Sequence, residues 1–218
     1  MTLQLIMLGP PGAGKGTQAG KLADHFDIPH ISTGQILRNN KDMETPYGTP
    51  RSYIEDGNLV PDEMMIEILE KRLQEDDTDD GYILDGFPRT RPQAVSLADI
   101  TDIDAVIYLR TSEENILKRL TGRRTCEDCG RTYHIEMNPP PDDDQCESCG
   151  GAIVQRADDR ESVVRDRLEE YQEKTKPLIE FYREKGTLLE IDGNPSIEEV
   201  WTQLKDRLDD TLDNVDTT

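Results

Sequence analysis

The chain has 218 residues, with 46 acidic against 25 basic side chains, a formal charge of −21 and a hydrophobic fraction of only 34%. That length allows one α/β domain with sizeable insertions, and no segment approaches the roughly 18 consecutive apolar residues of a membrane span. So negative a chain disfavours the phosphate backbone of a nucleic acid, or an anionic membrane, as a partner. Arginine outnumbers lysine sixteen to nine, and acids gather in runs at 75–80, 142–144 and 206–216. This balance predicts a protein of a very salty cytosol, where a Debye length of about 3 Å at 1 M makes self-repulsion tolerable. Disorder is the other state such a composition permits, but the apolar strands and helical stripes along the chain predict a folded protein.

Leu3–Leu8 is apolar enough for a buried strand, and it ends at the turn Gly9-Pro10-Pro11-Gly12-Ala13-Gly14-Lys15-Gly16-Thr17. A helical pattern follows over Gly16–Phe26. Strand, glycine-rich loop and helix in that order form a phosphate cradle: glycines let the backbone N–H groups curl around an anion, the helix N-terminus adds a positive dipole end, and Lys15 brings a mobile charge. Gly16 stands where a P-loop usually has Ser or Thr, so Thr17 is the candidate hydroxyl for the phosphate or magnesium shell. The apolar run carries no preceding basic stretch, so no export signal is expected and the protein is predicted to be cytoplasmic.

Further strands are expected at Pro29–Ile31, Tyr82–Leu84, Ala105–Leu109 and Thr187–Ile191, alternating with helical patterns. They predict an α/β fold, a P-loop doubly wound sheet of five parallel strands with ligands at the strands' carboxyl ends. Asp85, closing the third strand, stands where a Walker-B-like carboxylate would hold magnesium or its waters. The longest helical stripe is Val164, Leu168, Tyr171, Thr175, Leu178 and Tyr182, with a bend expected at Pro177. It is read as core packing. Two stretches break the alternation and are expected to be small inserted lobes: 34–61, polar and rich in turn residues (Pro46, Gly48, Pro50, Gly57), and 122–159.

The second insertion holds all four cysteines, as Cys126-x-x-Cys129 and Cys146-x-x-Cys149. Two such pairs make a tetrahedral thiolate shell that suits zinc, and a shell filled by protein leaves no open position, so the metal is expected to be structural. Two disulfides are the competing reading, disfavoured in a cytoplasmic protein. Zinc ribbons can bind nucleic acid, but seven acids face a single base, Arg131, between Cys126 and Cys149. His25, His30 and His134 are expected to be surface or packing residues, and Arg51, Arg72 and Arg183 to form surface ion pairs.

The motifs GPPGAGKGTQA, STGQILR, YILDGFPRT, the Gly-Arg-Arg opening the cysteine insertion, the paired CxxC motifs and RADDRESVVRDRL recur in one order over essentially the whole chain. Together the chain resembles the adenylate kinases of the long-lid, zinc-containing kind. The resemblance implies reversible phosphoryl transfer between ATP and AMP, giving ADP, with Mg²⁺ as cofactor; a monophosphate acceptor, largely dianionic near neutral pH, needs no general base. It implies a core of residues 1–31, 62–121 and 160–218, an AMP-binding lobe at 32–61, and a mobile lid at 122–159, in a monomer.

By the same resemblance Gly12, Ala13, Gly14, Lys15, Gly16 and Thr17, with Arg119 and Arg123, bind ATP. Thr33, Arg38, Val60, Gly86, Arg89, Gln93, Arg156 and Arg167 bind AMP. Lys15, Arg89, Arg123, Arg156 and Arg167 serve the transfer itself, and Asp158 and Asp159 close the lid. The chain departs from the family's habit at Gln35, where an acid near the magnesium waters is common. Another nucleoside monophosphate kinase is the second reading, and an ATP-binding zinc-ribbon switch protein the third.

Overall fold

The computed structural model describes residues 2–55 and 58–215, with side chains described as far as residue 212. The turn residue Gly57 and the end of the last acidic run, Asp216, lie outside the described residues. In chain order the elements are β1 (Leu3–Leu8), α1 (Lys15–Phe26), β2 (His30–Ser32), α2 (Thr33–Asn39), α3 (Pro50–Glu55), α4 (Asp62–Arg72), β3 (Gly81–Asp85), α5 (Arg91–Ile100), β4 (Ala105–Arg110) and α6 (Glu113–Thr121). Then come β5 (Arg123–Cys126), β6 (Thr132–His134), β7 (Ile153–Val154), α7 (Glu161–Glu170), α8 (Leu178–Glu184), β8 (Leu188–Asp192) and α9 (Ile197–Val215).

Five strands form one parallel sheet in the order β2-β3-β1-β4-β8. All five expected strands are present, β1 with the expected ends and the others with ends shifted by at most one residue. β1 shows why the sheet forms: Leu3, Leu5 and Met7 point into one apolar cluster with α1 and α9, while Ile6 and Leu8 point into another with α4, α5 and α8. A strand buried on both faces needs apolar residues at nearly every position, as a parallel sheet covered by helices demands, and β1 departs from this only at the partly buried Gln4. Local chemistry sets the helix starts. Thr90 and Ser112 cap α5 and α6 by accepting the N–H groups of Gln93 and Asn115.

The polar stretch after β2 is more ordered than its composition suggests, because it carries both α2 and α3. The cysteine-bearing stretch builds an antiparallel sheet, β6-β5-β7, with a small core of Cys126, Tyr133, Cys146 and Ile153. The long stripe is not one regular helix. After α7 the turn widens so that the Lys176 N–H donates to the Tyr171 carbonyl five residues back, at 2.8 Å, and α8 starts just after Pro177. Arg51, Arg72 and Arg183 do form surface ion pairs, with Asp42 and Glu55, with Glu75 and Asp77, and with Glu180 and Glu190.

Candidate active site

The glycine-rich loop lies at the carboxyl end of β1, in the middle of the sheet. Gly14 begins α1 with φ of 96°, a left-handed conformation that disfavours a side chain, and no side chain caps the first turn. The orphan N–H groups there remain for an anion. Lys15 curls over the loop, its Nζ 2.9 Å from the Gly9 carbonyl and 2.8 Å from that of Pro10. Burial pushes its ammonium down to about 8; Asp85 opposes the shift, and Arg89, Arg167 and Arg123 add to it. Ala13 is buried, whereas Gly16 and Thr17 are exposed on the first turn of α1. Arg119 reaches from α6 to the outer side of the loop, donating to the carbonyls of Ala13, Asn194 and Pro195 at 3.2–3.4 Å.

Asp85 ends β3 beside Met7 of β1 and Ser32 of β2. Burial alone would raise its carboxyl, but the His30 ring, Lys15 and Arg89 together hold it below the ordinary carboxylate value. An ionised oxygen ligand beside the loop lysine is the donor chemistry magnesium takes. His30, expected to be a surface or packing residue rather than a ligand, lies against this acid. Strand pairing sets its Nε2 3.4 Å from Asp85 Oδ2.

Thr33, Arg38, Val60, Gly86, Arg89 and Gln93 converge on one pocket, which Asp158 and Arg167 also border. Thr33 is buried and its hydroxyl donates to the Asp85 carbonyl at 3.3 Å. Gly86, at φ of 86°, has no room for more: a Cβ there would stand 2.7 Å from Thr33 Oγ1 and 2.9 Å from Arg89 Nη2. Arg89 donates from Nε to the Gly86 carbonyl at 2.8 Å. The buried Nε of Arg38 has no hydrogen-bond partner among the described residues, an orphan donor that a phosphate oxygen would satisfy. Burial, above all, pushes the Arg38 and Arg89 guanidiniums down from their ordinary range.

The far wall is a cluster of cations and acids. Arg123 binds both carboxylate oxygens of Asp159 through one edge of its guanidinium, Nε and Nη2, and Arg167 donates to the Asp158 carbonyl at 2.7 Å and pairs with its carboxylate at 3.0 Å. Arg156 is pushed down by burial first, then by Arg123 and Arg38, yet as a guanidinium it stays cationic at neutral pH. For Asp158 burial works to raise the carboxyl, and four arginines outweigh it. Arginines crowded this way repel one another, and a polyanion placed among them would relieve that repulsion.

The four cysteine sulfurs lie within 4.8 Å of one another, with Cys126–Cys149 at 3.5 Å and Cys129–Cys146 at 3.6 Å. Disulfides require about 2.05 Å, so these are free thiols. Zinc–sulfur bonds of about 2.3 Å in a tetrahedron place sulfurs about 3.8 Å apart, which the cluster fits. Gly130 and Gly150 follow the knuckles with the same φ of 75°.

Some residues of the site escaped the sequence reading. Leu59, Glu170, Tyr171 and Thr175 line a second pocket with Lys15, Gly86 and Arg89. Glu170 accepts the Leu59 N–H at 3.3 Å, and the Thr175 hydroxyl donates to the Arg89 carbonyl at 2.8 Å. Tyr171 and Thr175 belong to the stripe read as core packing. The widened turn is what brings that stripe to the site, and nothing in residue spacing announces it.

A family model described as adenylate kinase matches residues 7–187. The chain is 49% identical to the adenylate kinase of Thermoanaerobacter sp. (strain X514), over 95% of this chain and 99% of the relative. It is 47% identical to that of Clostridium beijerinckii, over 91% and 95% of the two chains, and 44% identical to that of Halobacterium salinarum, over 94% and 96%. Matches that cover nearly the whole of both chains, on a five-stranded parallel sheet with this loop, place the protein: it belongs to the adenylate kinase family.

Proposed function

We propose that the glycine-rich loop holds ATP, that the pocket of Thr33, Arg38, Arg89 and Gln93 holds AMP, and that the protein transfers the terminal phosphoryl group of ATP to AMP to give two ADP. One observation carries this assignment of roles: Arg38, Arg89, Arg123, Arg156 and Arg167 gather from four separate stretches of the chain beside the glycine-rich loop, where Asp85, Asp158, Asp159 and Glu170 offset only part of their charge. An AMP phosphate oxygen attacks the γ-phosphorus while the bond to the ADP oxygen breaks. The acceptor is already largely dianionic near neutral pH, so no general base is needed. Catalysis is then alignment plus charge neutralisation.

In this reading Gly12–Thr17 and Lys15 cradle the ATP phosphates, with Arg119 and Arg123 alongside. Arg38 and Arg89 clamp the AMP phosphate, and Thr33, Val60, Gly86 and Gln93 surround its nucleoside. Arg89, Arg123, Arg156 and Arg167 neutralise the group in transfer. Asp85 would hold magnesium, which supplies charge neutralisation at the ATP phosphates. The four cysteines would hold a structural zinc ion. Segment 32–61 acts as the acceptor lobe and 122–159 as a lid on a core made of the rest, with Asp158 and Asp159 closing the lid by pairing with Arg167 of the core. The protein works as a cytoplasmic monomer without nucleic acid or membrane partners; no helix among the described residues is long and apolar enough to cross a membrane. Turnover with AMP, GMP, CMP and UMP as acceptors tests the reading. AMP should be preferred by at least about tenfold, and a protein that turns over none of them, or prefers a pyrimidine, contradicts it.

A further inference from the structure

Asp62 opens α4 next to the acceptor pocket, and both of its oxygens are engaged. Oδ1 accepts from Gln93 Nε2 at 2.7 Å and Oδ2 from the Thr90 hydroxyl at 2.9 Å. On the other side of the same amide, Gln93 Oε1 accepts from the Arg89 backbone N–H at 2.7 Å. The Gln93 residue is 2% exposed and borders the acceptor pocket.

Shape alone does not orient a glutamine amide, since its two ends are nearly the same size. Here the partners decide. A carboxylate only accepts and a backbone N–H only donates. Turning the amide over would set its oxygen against the Asp62 carboxylate and its NH₂ against the Arg89 N–H, breaking two hydrogen bonds and creating two repulsions. The Thr90 hydroxyl is oriented as well, because its oxygen accepts the Gln93 N–H at 3.3 Å while its proton goes to Asp62.

The locked amide keeps one unused lone pair on Oε1 and one unused hydrogen on Nε2. That pair complements a base edge with a donor beside an acceptor, as adenine offers with its 6-amino group next to a ring nitrogen. It opposes a 6-oxopurine, whose O6 would face Oε1 and whose N1–H would face the Nε2 hydrogen. The geometry points to Asp62 as a specificity-determining positioning residue: by fixing the sense of the Gln93 amide, it makes the acceptor pocket select 6-aminopurine over 6-oxopurine monophosphates. This rests on the acceptor-pocket reading above.

The test compares kcat/KM for AMP and for IMP, which has the 6-oxo group without the 2-amino group of GMP and so leaves size nearly unchanged. In Asp62→Asn the new amide can donate or accept toward Gln93, so reversal no longer meets a negative charge. The IMP/AMP ratio should rise by about tenfold or more, the scale of one bidentate base contact, while the KM for ATP stays within about twofold. Asp62→Glu should keep a ratio near that of the wild type. An unchanged ratio in Asp62→Asn, or equal relaxation in both variants, overturns the lock. The wild type provides a check that needs no variant: an IMP kcat/KM within about threefold of that for AMP also overturns it. Loss of AMP turnover in the wild type would instead reject the acceptor reading itself.

Discussion

Arg123 lies edge-on to Asp159, its Nε 2.7 Å from Oδ2 and its Nη2 on Oδ1, and the acid is completely buried although the two residues are 36 positions apart. The pair ties the strand that enters the cysteine insertion to the segment that leaves it, and Arg167 leans on the same acid at 3.5 Å. Removing the acid leaves the Arg123 guanidinium without its carboxylate, next to Arg167, which keeps only Asp158. Asp159→Ala should therefore destabilise the protein by about 3 kcal/mol, the scale of breaking a buried ion pair. Chemical unfolding measures it, and a loss under about 0.5 kcal/mol would show that the pair carries no net stability.

The zinc assignment predicts one metal per chain in protein purified under reducing conditions. Cys126→Ser or Cys149→Ser should lower that content and the melting temperature together, because binding energy in such a lobe is folding energy. Metal analysis and thermal unfolding check both. Native protein without zinc, or with Cys126 and Cys149 joined in a disulfide, contradicts the assignment.

Lys15 gives a pH signature. Its ammonium in the free protein is lowered from 10.5 to about 8, chiefly by burial. Polyphosphate bound beside it favours the charged form, so binding raises this value and takes up a proton. At pH 8 the uptake should be about half a proton per ATP, and affinity should fall as pH rises above that point. Calorimetry in buffers of different ionisation enthalpy reads the uptake directly. Lys15→Arg, which stays charged, should abolish it; uptake that persists there assigns the proton to another group.

Much of this site is legible in the sequence, because its parts are contiguous motifs at strand ends. The loop Gly9–Thr17, Asp85 closing β3, and the paired CxxC motifs each announce their chemistry within a few residues. The supporting contacts do not. Asp62 meets Gln93 across 31 residues, Glu170 meets Leu59 across 111, and Thr175 reaches Arg89 across 86. A single Asp at a helix start reads as a cap, and Thr175 sits in an otherwise apolar stripe. Only the sheet order and the widened turn after α7 bring them to the nucleotide pockets.

The acidic surface predicts dependence on salt. With 46 acids against 25 bases, the ion pairs cannot neutralise the surface, and the excess carboxylates oppose compaction until cations screen them. The melting temperature should climb steeply from low salt to molar KCl. Nucleotide affinity should fall less than long-range attraction would require, since close bidentate arginine contacts resist screening. A melting temperature flat or falling with KCl contradicts the adaptation to high salt.

Lys15 and Arg89 are proposed to act on the phosphoryl group in transfer. Phosphorus NMR of ATP, AMP and magnesium with the protein measures it directly, by following ADP formation and any loss of phosphate to water. The wild type should form two ADP per ATP consumed, and Lys15→Ala and Arg89→Ala should each lower kcat by about two orders of magnitude or more, the usual size of lost transition-state electrostatics. Near-normal ADP formation in either folded variant would contradict the account.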